Sequence, residues 1–535
     1  MSTYLGADLI VETLAREGVR HVFTVPGGQM IPIHYAIDDH ESMELVIPRH
    51  EGAAALMACG YSMAGLPSCV MTTVGAGIAY EAGSLAFAWR ERLPVISIAP
   101  QVQSHKMKPI QENLQACDQD EIFAPITKFH AIMYHRDRIP ALIRRAVKFA
   151  LSPEPGPVHL DTPVDVIFGF KRVSRSKKKN LFPDRQFRFD GKVIPSRESV
   201  LNAARVIGLS ARALVLVGRN VERSRAGEYL MKFLSAAGIP VITSAAAWSS
   251  VPGDSELRIG HAGLWRNDTT LRLLARTDTL VLIEADEETG RLAREIVARN
   301  GSVLVVQTAE LASAVGSLVP VTAGITGSVI PVLEELAASV KSREGKTRVD
   351  REWLSSLMKA GEFAEKGFLR GIGPAQRIKR LSKVFDTINS IAGPDTLIVC
   401  EGSMVCGSAM LRLKREGLHN TVMLDDGYSA GAGFPLSLGM KCAFKNRKVI
   451  LFSDADSFKR HSREIQTMIR YNLPLVIFLF QDKDRKPREE VDFARFAKSF
   501  GLEGRIITDP DREMNGRMIR DALESPCGVL FDMTL

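Results

Sequence analysis

The chain has 535 residues, of which 45% are hydrophobic and 24% charged. That length calls for two or three cores, and that composition excludes a disordered chain, a collagen-like fibre and a small disulfide scaffold. Lys and Arg number 69 against 61 Asp and Glu, and the resulting +8 permits an anionic ligand but does not by itself argue for nucleic acid.

The chain opens with "MSTYLGADLIVETLAREGV", which reads as an amphipathic helix carrying acidic residues. It lacks the basic and apolar regions of a signal peptide, and no apolar run reaches membrane-spanning length. The seven cysteines are scattered without C-x-x-C spacing, as expected in a reducing cytosol, so a cytoplasmic location is predicted. Short β-branched runs then alternate with helix-period segments. They are "HVFTV", "SCVMTT" and "LPVISIAP" early, "ALVLVG", "TLVLIEA" and "SVLVVQT" in the middle, and "TLIVCEG", "VILFSDA" and "LPLVIFLFQD" late. This alternation predicts an α/β protein with three doubly wound parallel sheets, each buried on both faces. The blocks are 1–170, 195–340 and 380–535. A basic linker, 171–194, containing "KRVSRSKKK", separates the first two, and a helical connector, 341–379, leads into the third. The basic run reads as a solvated interdomain segment in preference to a nucleic-acid patch.

Several stretches, in this order, resemble the thiamine-diphosphate (ThDP) enzymes of the acetolactate synthase, benzoylformate decarboxylase and oxalyl-CoA decarboxylase group. They are "GVRHVFTVPGGQMIPI", "RHEGAAALMACGYSMAG", "LQACDQDEIFAPITKFH", "PGPVHLDTPVDV", "GAGFPLSLGMK" and "IRYNLPLVIFLFQD". The resemblance covers nearly the whole chain and implies pyrimidine-binding, central and pyrophosphate-binding domains. It also implies a lyase or carboligase acting beside a carbonyl of a 2-oxo acid or acyl donor, in a homodimer or homotetramer. Glu51 stands where the family's cofactor-activating Glu stands, in an apolar setting that would keep its carboxyl protonated. Pro26, Gly27 and Gly28 match the strand-to-helix turn lining the family's site, and Gly75 and Gly77 its Gly-Pro-Gly loop. Gln115 matches the substrate-orienting Gln, with Gln111 as a rival and Asp118 nearby.

The third block departs from the family. A diphosphate needs a hard cation held by oxygen ligands, and the family supplies them from Gly-Asp-Gly and a later Asn-Asn. Aligned without gaps, those motifs fall on Asp454-Ala455-Asp456 and on Gln481-Asp482, which puts Ala455 at the ligand position. A shift of one residue instead makes Asp454 and Asp482 the candidate metal ligands; the ungapped register is preferred. Ala430 replaces the bulky residue before Gly431 and Gly433, and the segment after Asp482 is too short for the family's usual lid. ThDP with Mg²⁺ is therefore an expected cofactor whose anchor is degenerate. The alternative is a repurposed or catalytically inactive assembly or regulatory paralogue. In the middle block Gly218, Arg219, His261, Gly263 and Arg266 lie where relatives contact FAD or another nucleotide, so FAD is a further candidate.

Overall fold

A computed structural model describes residues 2–173, 182, 192–265, 267–341, 350–414, 417–424, 430–481, 491–508 and 516–534. It contains three six-stranded parallel sheets, as the alternation of strands and helices predicts. The first orders its strands Glu44–Val46, His21–Thr24, Ser68–Met71, Val95–Gln101, Val158–Pro163, His130–Ile132. The third repeats that topology with Thr421–Leu424, Leu397–Glu401, Val449–Asp454, Val476–Gln481, Val529–Thr534, Glu503–Ile507. The middle sheet is different: Arg258–His261, Val241–Thr243, Ala213–Val217, Thr279–Ile283, Leu304–Ala309, Ala323–Thr326. Its chain order reverses between Ala213–Val217 and Thr279–Ile283, which is where ligands enter sheets of this topology.

The N-terminus departs from the all-helical expectation. Ser2–Leu5 is a strand paired antiparallel with Phe170–Val173, and the helix begins only at Gly6. The start of the basic stretch is therefore a sheet edge that closes the first domain, with Lys171 paired to Asp137 at 2.7 Å. Most of the remaining linker lies outside the described residues. Phe182 is the exception: it is buried edge-on against Tyr4, under the Arg16 guanidinium.

The first and third domains share one core. Helix Glu51–Ser62 buries every residue after Glu51 and lies along helix Gly433–Ala443, which is buried almost throughout. The two meet backbone to backbone. A Cβ on Gly60 would overlap the Leu436 carbonyl, and one on Gly439 the Met57 carbonyl. A single apolar cluster runs from Phe23 and Leu85 to Leu451 and Phe493, across the domain boundary. This packing carries both helix N-termini to the carboxyl ends of their sheets, where the candidate site residues stand.

Candidate functional site

The first domain brings its predicted residues together. Glu51 opens its helix, and the preceding His50 caps it by accepting from the Gly52 amide at 3.0 Å. Gly77 faces the Glu51 carboxylate, whose Oε1 would lie 3.5 Å from a Cβ there. Gly27 packs its backbone on Thr73, and a side chain would collide with that residue. Gly75 has φ +80, a left-handed conformation that favours glycine, and its backbone abuts the Gln115 carbonyl. The Gln115 side chain accepts from Gln29 Nε2 at 2.7 Å, and Gln29 Oε1 accepts from Thr73 Oγ1 at 3.0 Å. Gln29 and Thr73 were missed in the sequence; Gln29 directly follows "VPGG", which is the signal that could have found it. Pro26 is exposed on the same turn, and Gly28 beside it borders open space. The rival Gln111 sits on an exposed helical turn, and Asp118 is engaged by Lys108 at 2.5 Å.

Behind this surface lies a buried polar chain that was not anticipated. Thr72 Oγ1 donates to Glu81 Oε1 at 2.5 Å, and Glu81 Oε2 meets Ser97 Oγ at 3.0 Å. Ser97 Oγ meets His159 Nδ1 at 3.0 Å, and His159 Nε2 meets Asp161 Oδ1 at 3.0 Å. Gln119 donates to Asp161, and its Oε1 accepts from the Gly75 amide at 3.4 Å. Burial pushes the Glu81 carboxyl up to about 7, with Glu51 among the charges that raise it. With Glu81 protonated every link has a donor: Glu81 to Ser97, Ser97 to Nδ1, and Nε2–H to the Asp161 carboxylate. Ser97, His159 and Asp161 have the composition of a hydrolytic triad, but all three are buried, so no substrate reaches them. The chain instead fixes the Gly75 turn from behind. A lone Glu within "GIAYEAGSLAFAW" was the available sequence signal.

The third domain arranges its residues differently. Glu401, at the end of its strand, accepts from the Gly431 amide at 2.7 Å, the Gly433 amide at 3.1 Å and Ser453 Oγ at 2.9 Å. Burial, with Asp454 adding to it, pushes Glu401 up to about 7 against the pull of these bonds. Asp454 caps helix Ala455–His461: Oδ1 accepts from the Ser457 amide at 2.9 Å and Oδ2 from Ser457 Oγ at 2.8 Å. Ala455 is buried, while Asp456 points outward and pairs with Lys459 at 3.3 Å. Gln481 is held by Asp532 at 2.6 Å, and the Arg460 stem lies against Gly431. Ala430 is exposed. Asp482 lies outside the described residues, as does Arg266. Among the described residues no group of three or more His, Cys, Asp or Glu side chains could hold a metal ion.

In the middle domain, Gly218 ends the first strand at the switch point, where its backbone presses on the Glu284 carbonyl. The Arg219 amide donates to Asp286 at 2.9 Å. Its guanidinium turns to the first domain, donating to the Arg90 carbonyl and lying 3.6 Å from Glu91. Arg223 completes this clasp on Glu91 at 2.6 Å. Burial pushes Glu284 up to about 8, and Asn220 Nδ2 donates to its Oε2 at 2.9 Å. His261 is fully buried, with both ring nitrogens unpartnered and Gly263 against its ring.

Family models match the chain in three places. The thiamine pyrophosphate enzyme N-terminal TPP-binding domain covers residues 5–122, the central domain 200–336 and the C-terminal TPP-binding domain 408–486. The chain belongs to the thiamine-diphosphate enzyme family. It is similar to a probable acetolactate synthase large subunit of Methanocaldococcus jannaschii, at 27% identity over 99% of this chain and 92% of that protein. It is 25% identical to the acetolactate synthase large subunit of Haemophilus influenzae, over 96% of this chain and 91% of that protein. An acetolactate synthase of Bacillus subtilis is 24% identical over 99% of this chain.

The ThDP family gives its name to two TPP-binding domains here, and the two fit that cofactor unequally. Glu51, the glycine-lined turns and the Gln115–Gln29–Thr73 group offer a carboxyl, close backbone approach and neutral donors and acceptors. The described residues of the third domain do not fit a metal-clamped diphosphate. The Gly431 and Gly433 amides are taken by Glu401, the Asp454 carboxylate by Ser457, and Ala455 has no side-chain ligand atom. Among the described residues the middle switch point carries Glu284, Asp286, Glu287 and Glu288, and its Arg219 serves Glu91 and Glu287.

Proposed function

We propose that the chain is an acetolactate-synthase-like protein, acting on a small 2-oxo acid or acyl donor as a carbon–carbon lyase or carboligase, with atypical cofactor anchorage. Its first domain keeps the activating half of the site, with Glu51 as the carboxyl and Gln115 as the orienting group. Its third domain has replaced the diphosphate–metal clamp. One observation carries this reading: Glu401 occupies both amides of the turn at Gly431–Gly433 while Asp454 is held as a helix cap. The Asp454 carboxylate opposes a diphosphate by like charge, and Glu401 fills the amides that would receive one. Assembly as a homodimer or homotetramer belongs to the same reading, because among the described residues no hydrogen bond or ion pair joins Glu51 or Gln115 to Glu401 or Asp454 within one chain.

A second reading, a catalytically inactive assembly paralogue, is supported by the same filled turn. Calorimetry with ThDP, with and without Mg²⁺, separates them. Weak binding that is independent of Mg²⁺ and lost in Glu51→Gln supports atypical anchorage. Micromolar binding that requires Mg²⁺ and is lost in Asp482→Ala refutes it. No saturable binding at millimolar ThDP moves the assignment to the inactive paralogue.

A further inference from the structure

Arg258 opens the edge strand of the middle sheet, and its guanidinium lies 4.1 Å over the Trp248 ring. That ring is fixed in place, since Trp248 Nε1 donates to the Met410 carbonyl at 3.2 Å. Among the described residues the guanidinium has one hydrogen-bond partner, the Val251 carbonyl at 3.1 Å, and no carboxylate within ion-pairing distance. Guanidinium groups that leave bulk water are ordinarily matched by an acid. Here burial alone acts and lowers Arg258 to about 9, with no acid offsetting it. The same uncompensated charge adds to burial in holding the neighbouring His261 neutral, at about 3.

The guanidinium lines a cavity of about 300 Å³ where the middle domain, the connector helix Arg351–Ile372 and the end of helix Ser403–Arg412 converge. That volume lies at the small end of the ~300–1,000 Å³ typical of small-molecule sites. Its wall is about equally polar and apolar: Ile259, Leu264, Met358 and Leu411 supply the apolar side, and Lys414 adds a second cation. The one carboxylate on the wall, Glu365, has a partner of its own.

We propose that this cavity is a binding site for a small monoanion with an apolar body, such as a medium-chain carboxylate, whose charged end pairs with Arg258 and whose body lies along the Met358–Leu411 wall. Pairing would supply the counter-ion that the fold leaves out, and the stacked Trp248 would keep the guanidinium plane oriented for a two-oxygen acceptor. The site is separate from the ThDP-type residues and does not depend on whether they bind cofactor.

The test is calorimetry of the full chain with sodium hexanoate, its neutral analogue hexanamide, and sodium chloride as an ionic-strength control. Saturable one-to-one binding of hexanoate is expected, with hexanamide at least tenfold weaker. Arg258→Met should weaken hexanoate at least tenfold. Gly361→Leu, which fills the cavity from the connector helix at a position nearest the Ile259 carbonyl and Trp265, should do the same, and keeps the test decisive if Arg258→Met does not fold. A flat hexanoate titration, equal binding of hexanamide, or unchanged binding by a folded variant would overturn the proposal.

Discussion

Glu81→Gln changes a single proton site at the centre of the first domain, and its effect on stability should depend on pH. The Glu81 carboxyl moves from its ordinary 4.5 to about 7 on folding because it is fully buried. Below pH 4.5 the folded and unfolded states both hold the proton, so the contribution to stability is intact. Between pH 4.5 and 7 only the folded state holds it, so stability falls as pH rises, and above 7 the loss is complete. A rise of that size corresponds to about 3 kcal/mol. Glutamine keeps the shape, accepts from Thr72 and donates to Ser97, but has no proton to lose. The variant should therefore gain on the wild type with rising pH, with the difference growing by about 2–3 kcal/mol between pH 4.5 and 8. For a domain of this size that is a relative shift of roughly 5–10 °C in the first-domain transition. Differential scanning calorimetry of both proteins at pH 5 and pH 8 measures it. If the gap in transition temperature is the same at both pH values, Glu81 does not hold its proton through neutrality and the hydrogen-bond assignment fails.

Gly439→Ala places a methyl group on the Met57 carbonyl and should cost about 1–3 kcal/mol by forcing the two interdomain helices apart; Gly367→Ala, at a connector-helix position with open space, should be neutral or stabilising, and thermal unfolding distinguishes the two. Glu91→Ala removes the shared partner of Arg219 and Arg223, leaves Arg223 without its carboxylate and Arg219 with Glu287 alone, and should cost about 3 kcal/mol. Limited proteolysis should then cut between the first and middle domains sooner than in the wild type. Gly75→Ala puts a side chain at φ +80 beside Gln115, so it should destabilise by about 1–3 kcal/mol and lower the affinity of any ligand held by the Gln115–Gln29 group, as read by calorimetry.

The fold class was legible because strands buried on both faces must be apolar throughout. "ALVLV" and "TLVLI" have no polar face, and alternating them with helical segments leaves only parallel sheets. The glycine turns of the first-domain candidate site were legible for a related reason: Gly27, Gly75 and Gly77 stand where backbone and side chains crowd, and a short local motif records that need.

Tertiary structure decided the rest, because the partners are far apart along the chain. Glu401 meets Gly431 and Gly433 only once strand and helix pack, and that meeting fills both amides of the turn. Glu81, Ser97 and the His159–Asp161 pair come from three separate segments and look unremarkable singly. They become one hydrogen-bonded chain because burial removes water and leaves each polar atom only protein partners. Arg219 stands where a nucleotide contact was expected, yet its charge is directed by Glu91, well over a hundred positions away. Sequence records what each segment must bury; which polar groups then meet in the dry interior depends on how the segments are brought together.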